Sequence, residues 1–483
     1  MSLTTDDSKL FKSDAQHRKA AIREARAEAL QNVGNPIQLP TKPLRVRVRQ
    51  NEDKGKEPDA WIAESGFVVR RIGLESGKTK QIYRGHCGPV TSLDFYTTRT
   101  AKRELMISGS WDKSFRIWDI QTKQSISTTV AHIDFIKTLV VIPDFDILVT
   151  ASSDRDIRIW DLSSLDSFDF STLLPATTQP TKEPQLVPTE SAPKQGAAPP
   201  SAVAQAPLPL LLILKSHTRP IEQLAYFPGP SSSSSDAPPL TDKFGLISAD
   251  SMGVLKVWEL TRDAAGGEGK GLKGTEKSSV RHHELAIYDL IIGSEGEIWT
   301  ASADNSVLLS SFSPSDLSLP PTPILRIPHH TQTRALLSLP ISVPTLNASY
   351  LLTTSSDELI RIFDLNSDPL EPAKSREERR QWKGLSGLKE GDELPGCVKE
   401  IEGHTNEVVS LSSYILENEE GRKEVWIASA GLDGTLRRWK WTEMLESKRE
   451  KLVLIEVNNE EEVKESLLTE EEERELEELM ADD

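Results

Sequence analysis

Cysteine is scarce in this 483-residue sequence, and the scarcity limits the folds and sites that it can contain. Only Cys87 and Cys397 occur, and neither stands in a CxxC or a mixed Cys/His spacing. A disulfide framework is therefore unsupported, and no cysteine-based metal site is expected. The low cysteine content also favours a reducing compartment.

Long hydrophobic runs are absent as well. The longest apolar run, Leu208 to Leu214, is far shorter than the roughly 20 residues that span a bilayer. The N-terminal sequence MSLTTDDSKLFKSD contains no apolar segment of the kind found in signal peptides. We therefore expect an intracellular protein of the cytoplasm or nucleus, neither secreted nor bound to a membrane.

Positive charge is in deficit, because the formal net charge is −17. This balance argues against direct nucleic-acid binding through phosphate neutralisation. The residues from Glu460 to Asp483 include thirteen acids and only Lys464 and Arg474 as bases, so about −11 of the charge lies in this tail.

Catalytic constellations are also missing. The sequence contains no HxxxH or HExxH spacing, no P-loop and no GxSxG motif. The glycine-rich segment Gly266 to Gly274 lacks the flanking strand and helix that make a phosphate-binding loop. We predict that the protein is not an enzyme and that it has no cofactor and no metal site.

What the sequence does contain is a repeated unit, best seen in GHCGPVTSLDFYTTRTAKRELMISGSWDKSFRIWDI, from Gly85 to Ile120. The unit opens with Gly-His and closes with Trp-Asp. Three apolar runs lie between them, at Val90 to Phe95, Leu105 to Ser108 and Phe115 to Trp118. A GH…WD unit of roughly 40 residues is the signature of the WD repeat, so this stretch predicts one four-stranded propeller blade.

The same internal spacing recurs along the chain. Six histidines each stand seven residues before a leucine: His86 and Leu93, His132 and Leu139, His217 and Leu224, His283 and Leu290, His330 and Leu337, and His404 and Leu411. A Ser or Thr stands ten residues before an aromatic ring in Ser108 and Trp118, Thr150 and Trp160, Ser248 and Trp258, Thr353 and Phe363, and Ser429 and Trp439. Constant spacing within strands, with variable connections, indicates a repeated supersecondary unit.

On these motifs the chain resembles the WD40 β-propeller family over roughly residues 44–457. The resemblance implies that the His, the Ser or Thr, the Asp of the tight turn and the Trp of a repeat form a buried hydrogen-bonded tetrad. Complete sets are supplied by His86, Ser108, Asp112 and Trp118, by His132, Thr150, Asp154 and Trp160, and by His404, Ser429, Asp433 and Trp439. These histidines are then structural, since leaving one buried partner unpaired costs about 1–3 kcal/mol.

Three repeats depart from this pattern and are expected to be held less firmly. The fourth has Met252 in place of the Asp, with Asp250 nearby, and the fifth has Ser310 in place of the Trp. In the sixth, the spacing selects His330, Thr353, Asp357 and Phe363.

A degenerate unit near the N-terminus brings the count to seven. Ala60 to Gly73 resembles Val425 to Trp439 without the tetrad, and Leu44 to Arg49 alternates as a strand does. The predicted fold is therefore an all-β, seven-bladed propeller. Its closing strand is either Leu44 to Arg49 or Lys451 to Val457, and the sequence does not choose between them.

The domain prediction places an N-terminal extension at 1–43, the propeller at 44–457 and an acidic tail at 458–483. A basic helix is predicted from Ser13 to Ala29, either solvated or docked on a partner or on the acidic tail. Low-complexity insertions are predicted at about 163–207, 228–242, 261–280 and 366–399, the first between blades three and four and the last between blades six and seven. They are either unstructured or carriers of linear motifs and phosphosites. Thr469 and Glu472 form a capping-box pair, so the tail is expected to be helical.

The family resemblance implies that partners bind the top face, which is built from the turns before the first strand and between the second and third strands. On this face the spacing places Trp111, Phe135, Arg155, Arg334, Glu407 and Leu432. Trp and Arg are favoured types at interface hot spots. Trp111 alternatively serves only to cover the adjacent turn.

Two functions remain open at the level of sequence. The first is a non-catalytic scaffold or adaptor that binds other proteins in an intracellular multiprotein complex. The second is an assembly chaperone whose acidic tail binds a basic client such as a histone or ribosomal protein. A ubiquitin-ligase substrate receptor is disfavoured, since Gln121 and Ser163 stand where such receptors often carry an Arg after Trp-Asp.

Overall fold

The computed structural model describes residues 25–50, 57–168, 170, 208–228, 243–262, 271–293, 297–313, 316–340, 346, 348–366, 394–417 and 421–446. Residues 25–29 form a helical turn in a unit separate from Asn32–Glu446. The remainder of the predicted basic helix, the acidic tail and most residues of the predicted insertions lie outside the described residues.

Seven antiparallel sheets of four strands each make up the second unit. Successive sheets pack face to face around a central axis, so the seven-bladed β-propeller is confirmed and the degenerate unit is blade 1. Within a blade, the first strand is the innermost and the fourth is the outermost.

The strands follow in chain order within blades 1 to 6, and blade 7 takes its fourth strand from the N-terminal part of the chain. Blades 1 to 3 contain Pro43–Arg49, Asp59–Glu64, Val68–Gly73 and Thr79–Arg84; Val90–Thr97, Glu104–Ser110, Ser114–Asp119 and Ser125–Val130; and Ile136–Ile142, Ile147–Ser152, Asp156–Asp161 and Leu210–Lys215. Blades 4 to 6 contain Ile221–Pro228, Lys243–Asp250, Val254–Arg262 and Leu272–Arg281; Ile287–Ile292, Glu297–Ser302, Ser306–Ser311 and Thr322–Pro328; and Thr333–Leu339, Tyr350–Ser355, Ile360–Asp364 and Cys397–Ile401. Blade 7 contains Val408–Glu417, Lys423–Gly431, Thr435–Lys440 and Ile37–Gln38. Two 3-10 helices, Pro143–Phe145 and Ser163–Ser167, and the α-helix Trp441–Glu446 complete the described elements.

The core lies between blades, because each sheet is covered by a neighbour on both faces. Every residue of Ile147–Ser152, the second strand of blade 3, is buried. Between blades 2 and 3, the rings of Phe115 and Trp160 meet edge to face with their centroids 5.2 Å apart. Burying such large side chains contributes about 1.5–3 kcal/mol each, which explains why the second strands carry the strongest apolar runs.

The fourth strands are the least visible in the sequence. Leu272–Arg281 falls in the predicted third insertion, yet it pairs with Val254–Arg262 as the outermost strand of blade 4. Most of its side chains are exposed or half-buried, so its sequence carries little apolar periodicity.

Because the fourth strands are hard to recognise in the sequence, the predicted places of two insertions were wrong. The segments 163–207 and 366–399 were expected between blades. Leu210–Lys215 instead pairs with Asp156–Asp161, and Cys397–Ile401 pairs with Ile360–Asp364. Both insertions therefore join the third and fourth strands of one blade, in blades 3 and 6.

Each first strand contains a bulge at the same place. The register with the second strand shifts by one residue near the start of all seven, which leaves one residue of each first strand unpaired. These residues are Leu44, Thr91, Lys137, Glu222, Tyr288, Arg334 and Val409. All but Glu222 line the cavity on the propeller axis.

The closing strand is a segment that the sequence analysis did not consider. Leu44 to Arg49 belongs to the first strand of blade 1, and Lys451 to Val457 lies outside the described residues. The ring closes through Ile37–Gln38, in which Ile37 pairs with Leu436 and Gln38 with Thr435. Two residues are too short for a periodic pattern, so the sequence could not indicate this strand.

Two arginines of blade 7 hold the segment that leads into the closing strand. The backbone N–H of Arg438 donates to the carbonyl of Gly34 at 2.7 Å, and its Nε donates to the carbonyl of Asn35 at 3.1 Å. The guanidinium of Arg437 donates to the carbonyl of Val33. These bonds hold backbone that would otherwise be a free edge.

Substitution in the closing strand should weaken the whole propeller. Ile37 is 8% exposed and packs in the core between blades 7 and 1, whereas Gln38 is exposed. We expect Ile37→Ala to lower the free energy of unfolding by about 2–4 kcal/mol, and Gln38→Ala to change it by less than about 0.5 kcal/mol. Chemical denaturation of the full chain measures both, and equal stabilities for the two variants would contradict this closure.

Candidate functional site

The histidine network of blade 2 joins four separate parts of the blade. His86 Nδ1 lies 2.8 Å from an Asp112 carboxylate oxygen, and its Nε2 lies 2.8 Å from Ser108 Oγ. The Trp118 indole N–H donates to the same Oγ at 2.9 Å. Because the carboxylate can only accept, Nδ1 carries the proton and Nε2 accepts from the hydroxyl. The loop before the first strand, the second strand, the tight turn and the third strand are thereby held together.

Blades 3 and 7 contain the same arrangement. The predicted members His132, Thr150, Asp154 and Trp160, and His404, Ser429, Asp433 and Trp439, make the corresponding bonds at 2.7–3.0 Å. Burial alone would raise the pKa of Asp154 and of Asp433, but hydrogen bonds from His132 and His404 lower each pKa to about 2.

In blade 4, one carboxylate replaces the missing Asp of the turn. Asp250 stands at the end of the second strand, where one oxygen lies 3.2 Å from His217 Nδ1. Its other oxygen accepts the backbone N–H groups of Met252 and Val254 at 2.9 and 3.0 Å. With Ser248 bonded to His217 and Trp258, the polar network is complete. The expectation that this blade would be held less firmly because of Met252 therefore does not apply to its tetrad.

Blade 5 retains three members and lacks the fourth. His283 lies 2.9 Å from Asp304 and 2.8 Å from Thr300. Ser310 occupies the Trp position, and its buried hydroxyl has no hydrogen-bond partner among the described residues. This blade therefore lacks the indole bond that ties the third strand to the second in blades 2, 3, 4 and 7.

In blade 6, the predicted histidine was the wrong one of two neighbours. His329 is buried and places Nε2 2.7 Å from Thr353 Oγ1, whereas spacing selected His330. Thr353 pairs with Leu336, as Ser108 pairs with Leu93, so the true count runs from His329 to Leu336. Two adjacent histidines followed by two adjacent leucines give the same spacing twice, which explains the error.

The Asp of blade 6 also has a different partner. Asp357 accepts from Arg361 at 2.6 Å, and Arg361 further donates to Glu400 at 2.8 Å and to Ser355 at 2.6 Å. His329 therefore lacks a carboxylate. Burial, with the nearby Arg361 charge, lowers its pKa to about 3.

Blade 1 uses an ion pair where the others use a histidine. Ile62 occupies the Ser/Thr position, because it pairs with Arg70 as Ser108 pairs with Arg116. Arg70 Nε donates to the buried Glu64 carboxylate at 2.5 Å, and the Thr41 hydroxyl donates to the other oxygen at 2.5 Å.

The top face is organised by one backbone bond that recurs in all seven blades. The residue three positions after the Ser/Thr position donates its backbone N–H to a carbonyl at 2.8–3.0 Å. The acceptor is in each case the residue directly before the first strand of the blade. The donors are Ser65, Trp111, Ser153, Ser251, Ala303, Ser356 and Leu432, and the acceptors are Lys42, Pro89, Phe135, Pro220, Ala286, Gln332 and Glu407. Since Ser or Ala suffices at five donor positions, the turn does not require an indole.

Trp111 and Phe135 therefore stand out among equivalent positions. Their rings stack with centroids 5.3 Å apart and an interplanar angle of 24°. They remain 38% and 41% exposed, and the nearby Ile133 and Val130 are 76% and 75% exposed. Trp111, Val130, Ile133 and Phe135, here called the aromatic patch, form a group of exposed apolar side chains at the boundary of blades 2 and 3. Spacing did not select Ile133 or Val130, although their apolar character beside His132 was a usable signal.

The other predicted top-face residues fall into separate places. Arg334 Nη2 lies 2.8 Å from Glu407, and the guanidinium lies 4.3 Å from the Tyr288 ring centroid. Leu432 is half-buried and meets Glu407 through its backbone bond. Arg155 is exposed, with a φ of 73° in the tight turn of blade 3. The six candidates thus form one stacked pair, one ion-paired group and one isolated arginine.

No group of three His, Cys, Asp or Glu side chains in the described part of the chain could hold a metal ion. Both cysteines are free thiols, with Cys87 exposed. The glycine-rich segment runs into Leu272–Arg281, a strand and not a helix. Among these residues, no helix has the length and apolar character needed to cross a membrane.

Comparison with known proteins agrees with the repeats. The family model described as "WD domain, G-beta repeat" matches residues 77–119, 123–161 and 395–440. An uncharacterized WD repeat-containing protein of Schizosaccharomyces pombe is 24% identical over 278 residues, which are 57% of this chain and 59% of that protein. The Periodic tryptophan protein 2 homolog of the same organism is 36% identical over 64 residues, which are 13% of this chain and 7% of the relative. The chain thus spans less than two thirds of either relative.

Asp250 should be essential to blade 4, although it lies outside the expected position. Asp250→Asn replaces an oxygen acceptor by an amide, which cannot serve both the imidazole and the turn. We expect the free energy of unfolding to fall by about 1–3 kcal/mol, whereas Met252→Ala should change it by less than about 0.5 kcal/mol. Denaturant titration measures both variants. A larger loss of stability for Met252→Ala than for Asp250→Asn would contradict the role assigned to Asp250.

His329 should make the protein sensitive to mild acid. Its folded pKa of about 3 lies below the ordinary 6.5, so the unfolded chain binds more protons between these values and stability falls as the pH is lowered through them. The limiting slope is about 1.4 kcal/mol per pH unit. His329→Gln should flatten the dependence of unfolding free energy on pH between pH 7 and 5, as measured by denaturant titration at each pH. A slope that His329→Gln leaves unchanged would contradict this prediction.

Proposed function

Because the chain carries WD40 repeats in a seven-bladed β-propeller, a fold typical of protein-interaction scaffolds, we propose that it is a non-catalytic adaptor in an intracellular protein complex. The proposed partner surface is the part of the top face that carries the aromatic patch. Two independent features of the patch support this: the turns do not require its aromatic rings, and the rings are held in place.

The first support is the comparison between equivalent positions. The turn of blade 2 makes the same backbone bond as the other six, with a tryptophan where most have Ser or Ala. Because 38% of the Trp111 surface stays in water, the indole contributes less to burial than a core tryptophan does. A large half-exposed ring that the turn does not need is better accounted for by recognition of a partner.

The second support is preorganisation. The stacked Phe135 ring limits the rotamers of Trp111, so a partner that covers the pair orders little further side-chain motion. Polar groups surround this centre, including the exposed Lys113 and Arg155 in the adjacent turns. An apolar centre with a charged rim is the usual composition of a protein–protein interface.

Removal of the two rings tests the proposal. We expect the double variant Trp111→Ala, Phe135→Ala to lose at least about 90% of one or more co-purifying proteins, since truncating an interface hot spot costs about 2 kcal/mol or more. The measurement is quantitative mass spectrometry after purification of the full chain from native cells. Thermal unfolding of the variant should match that of the parent.

A matched control removes an exposed apolar side chain elsewhere. Leu319 is 54% exposed and lies before the fourth strand of blade 5, away from the patch in the sequence. Leu319→Ala should retain every partner. Unchanged recovery of all partners by the double variant would refute the patch as the binding surface.

The alternative function, a chaperone for a basic client, depends on the thirteen acids of the tail from Glu460 to Asp483. A chain that ends at Asn458 separates the two proposals. The chaperone requires a basic client that is lost on truncation and released by high salt, whereas the adaptor requires partners that survive truncation and depend on the two rings.

A further inference from the structure

The cavity on the propeller axis is lined by side chains of one charge. It has a volume of about 180 Å³, and the first strands of all seven blades contribute residues to its wall. The charged residues that line it are Arg45, Arg47, Lys137 and Arg334. No acidic residue is among its lining residues in the described part of the chain.

Three of these cations have carboxylate partners. Arg45 lies 3.4 Å from Asp289 across the channel, Lys137 lies 3.3 Å from Glu222, and Arg334 lies 2.8 Å from Glu407. Arg47 differs, because its guanidinium makes no hydrogen bond or ion pair with any residue that the structure describes.

The acids closest to Arg47 are already engaged with backbone amides. The two oxygens of Asp94 accept the N–H groups of Phe95 at 3.0 Å and Val141 at 2.9 Å. Asp289 accepts from Leu290 at 3.1 Å and Leu336 at 2.9 Å. These bonds connect blade 2 with blade 3 and blade 5 with blade 6, so they fix the positions of both carboxylates. Neither carboxylate is hydrogen-bonded to the guanidinium of Arg47.

Arg47 lines the cavity and is exposed to solvent. Protein packed around the guanidinium, reinforced by the charge of Arg45, lowers its pKa below the ordinary value, while Asp94 opposes that effect. Arg45 and Arg47 thus place two guanidinium groups at one cavity, and the one without a carboxylate partner is suited to an oxyanion.

We propose that the channel binds a phosphate group, with Arg47 as its principal ligand and Arg45 beside it. The volume is below the roughly 300–1,000 Å³ of sites for drug-sized ligands, so the cavity accommodates a single phosphate and not a nucleotide. The group is either free inorganic phosphate or the phosphorylated side chain of a bound protein. This site does not depend on the aromatic patch.

Calorimetric titration of the full chain tests the site, with inorganic phosphate in one arm and N-acetylphosphoserine amide in the other. Ionic strength is held constant with sodium chloride. We expect saturable binding that Arg47→Met weakens about 10- to 100-fold, the loss typical of a charge-assisted hydrogen bond. Arg47→Lys keeps the positive charge but loses the planar guanidinium that can donate two parallel hydrogen bonds. Its affinity for phosphate should therefore lie between those of the parent and Arg47→Met.

Arg84→Met is the matched control, because Arg84 is an exposed arginine on the outermost strand of the same blade. It should bind like the parent, and thermal unfolding of each variant verifies its fold. Binding of phosphoserine alone assigns the group to a partner's side chain, and binding in both arms assigns it to the free anion. The absence of saturable binding in both arms, or equal affinities of Arg47→Met and Arg84→Met, would overturn the proposal.

Discussion

A hydroxyl in the middle of the second strand is the group on which each regular blade depends. In blade 2, Ser108 Oγ donates to His86 and accepts from Trp118, so one buried atom sets the position of the preceding loop and of the third strand. Asp112 then fixes the other side of the imidazole and the turn. Loss of any member would leave its partners buried without hydrogen bonds, and this penalty is what selects one register over its neighbours.

The blades that depart from this arrangement show which part of it is required. Blade 4 supplies the carboxylate from two residues earlier, blade 6 pairs its Asp with Arg361, and blade 1 uses Glu64 and Arg70. In each case buried polar groups satisfy one another without the full set of residue types. The requirement is therefore mutual satisfaction between the second strand, the turn and the third strand, and the tetrad is one way to meet it.

The spacing of histidines, hydroxyls and rings was sufficient to predict six blades, because a buried network tolerates no insertion within it, and the seventh was predicted from the likeness between the segments Ala60 to Gly73 and Val425 to Trp439. Features that carry no such network were not predictable. The outermost strand Leu272–Arg281 has little buried surface, the closing strand Ile37–Gln38 is two residues long, and the seven bulges involve unlike residues such as Thr91 and Tyr288. Trp111 and Phe135 were predicted on the top face from the same spacing, but their stacking could be found only in three dimensions.

The pairing of Ile37 with Leu436 also determines when the ring can be completed during synthesis. The closing strand leaves the ribosome before any blade, whereas its partner Thr435–Lys440 is among the last elements to emerge. The closing strand Ile37–Gln38 therefore lacks its pairing partner until the last blade has been synthesised. Contacts between residues this far apart in sequence form slowly, and partly made propellers expose strand edges that can join other chains. The bonds from Arg437 and Arg438 to residues 33–35 help to hold the ring closed once the closing strand has paired.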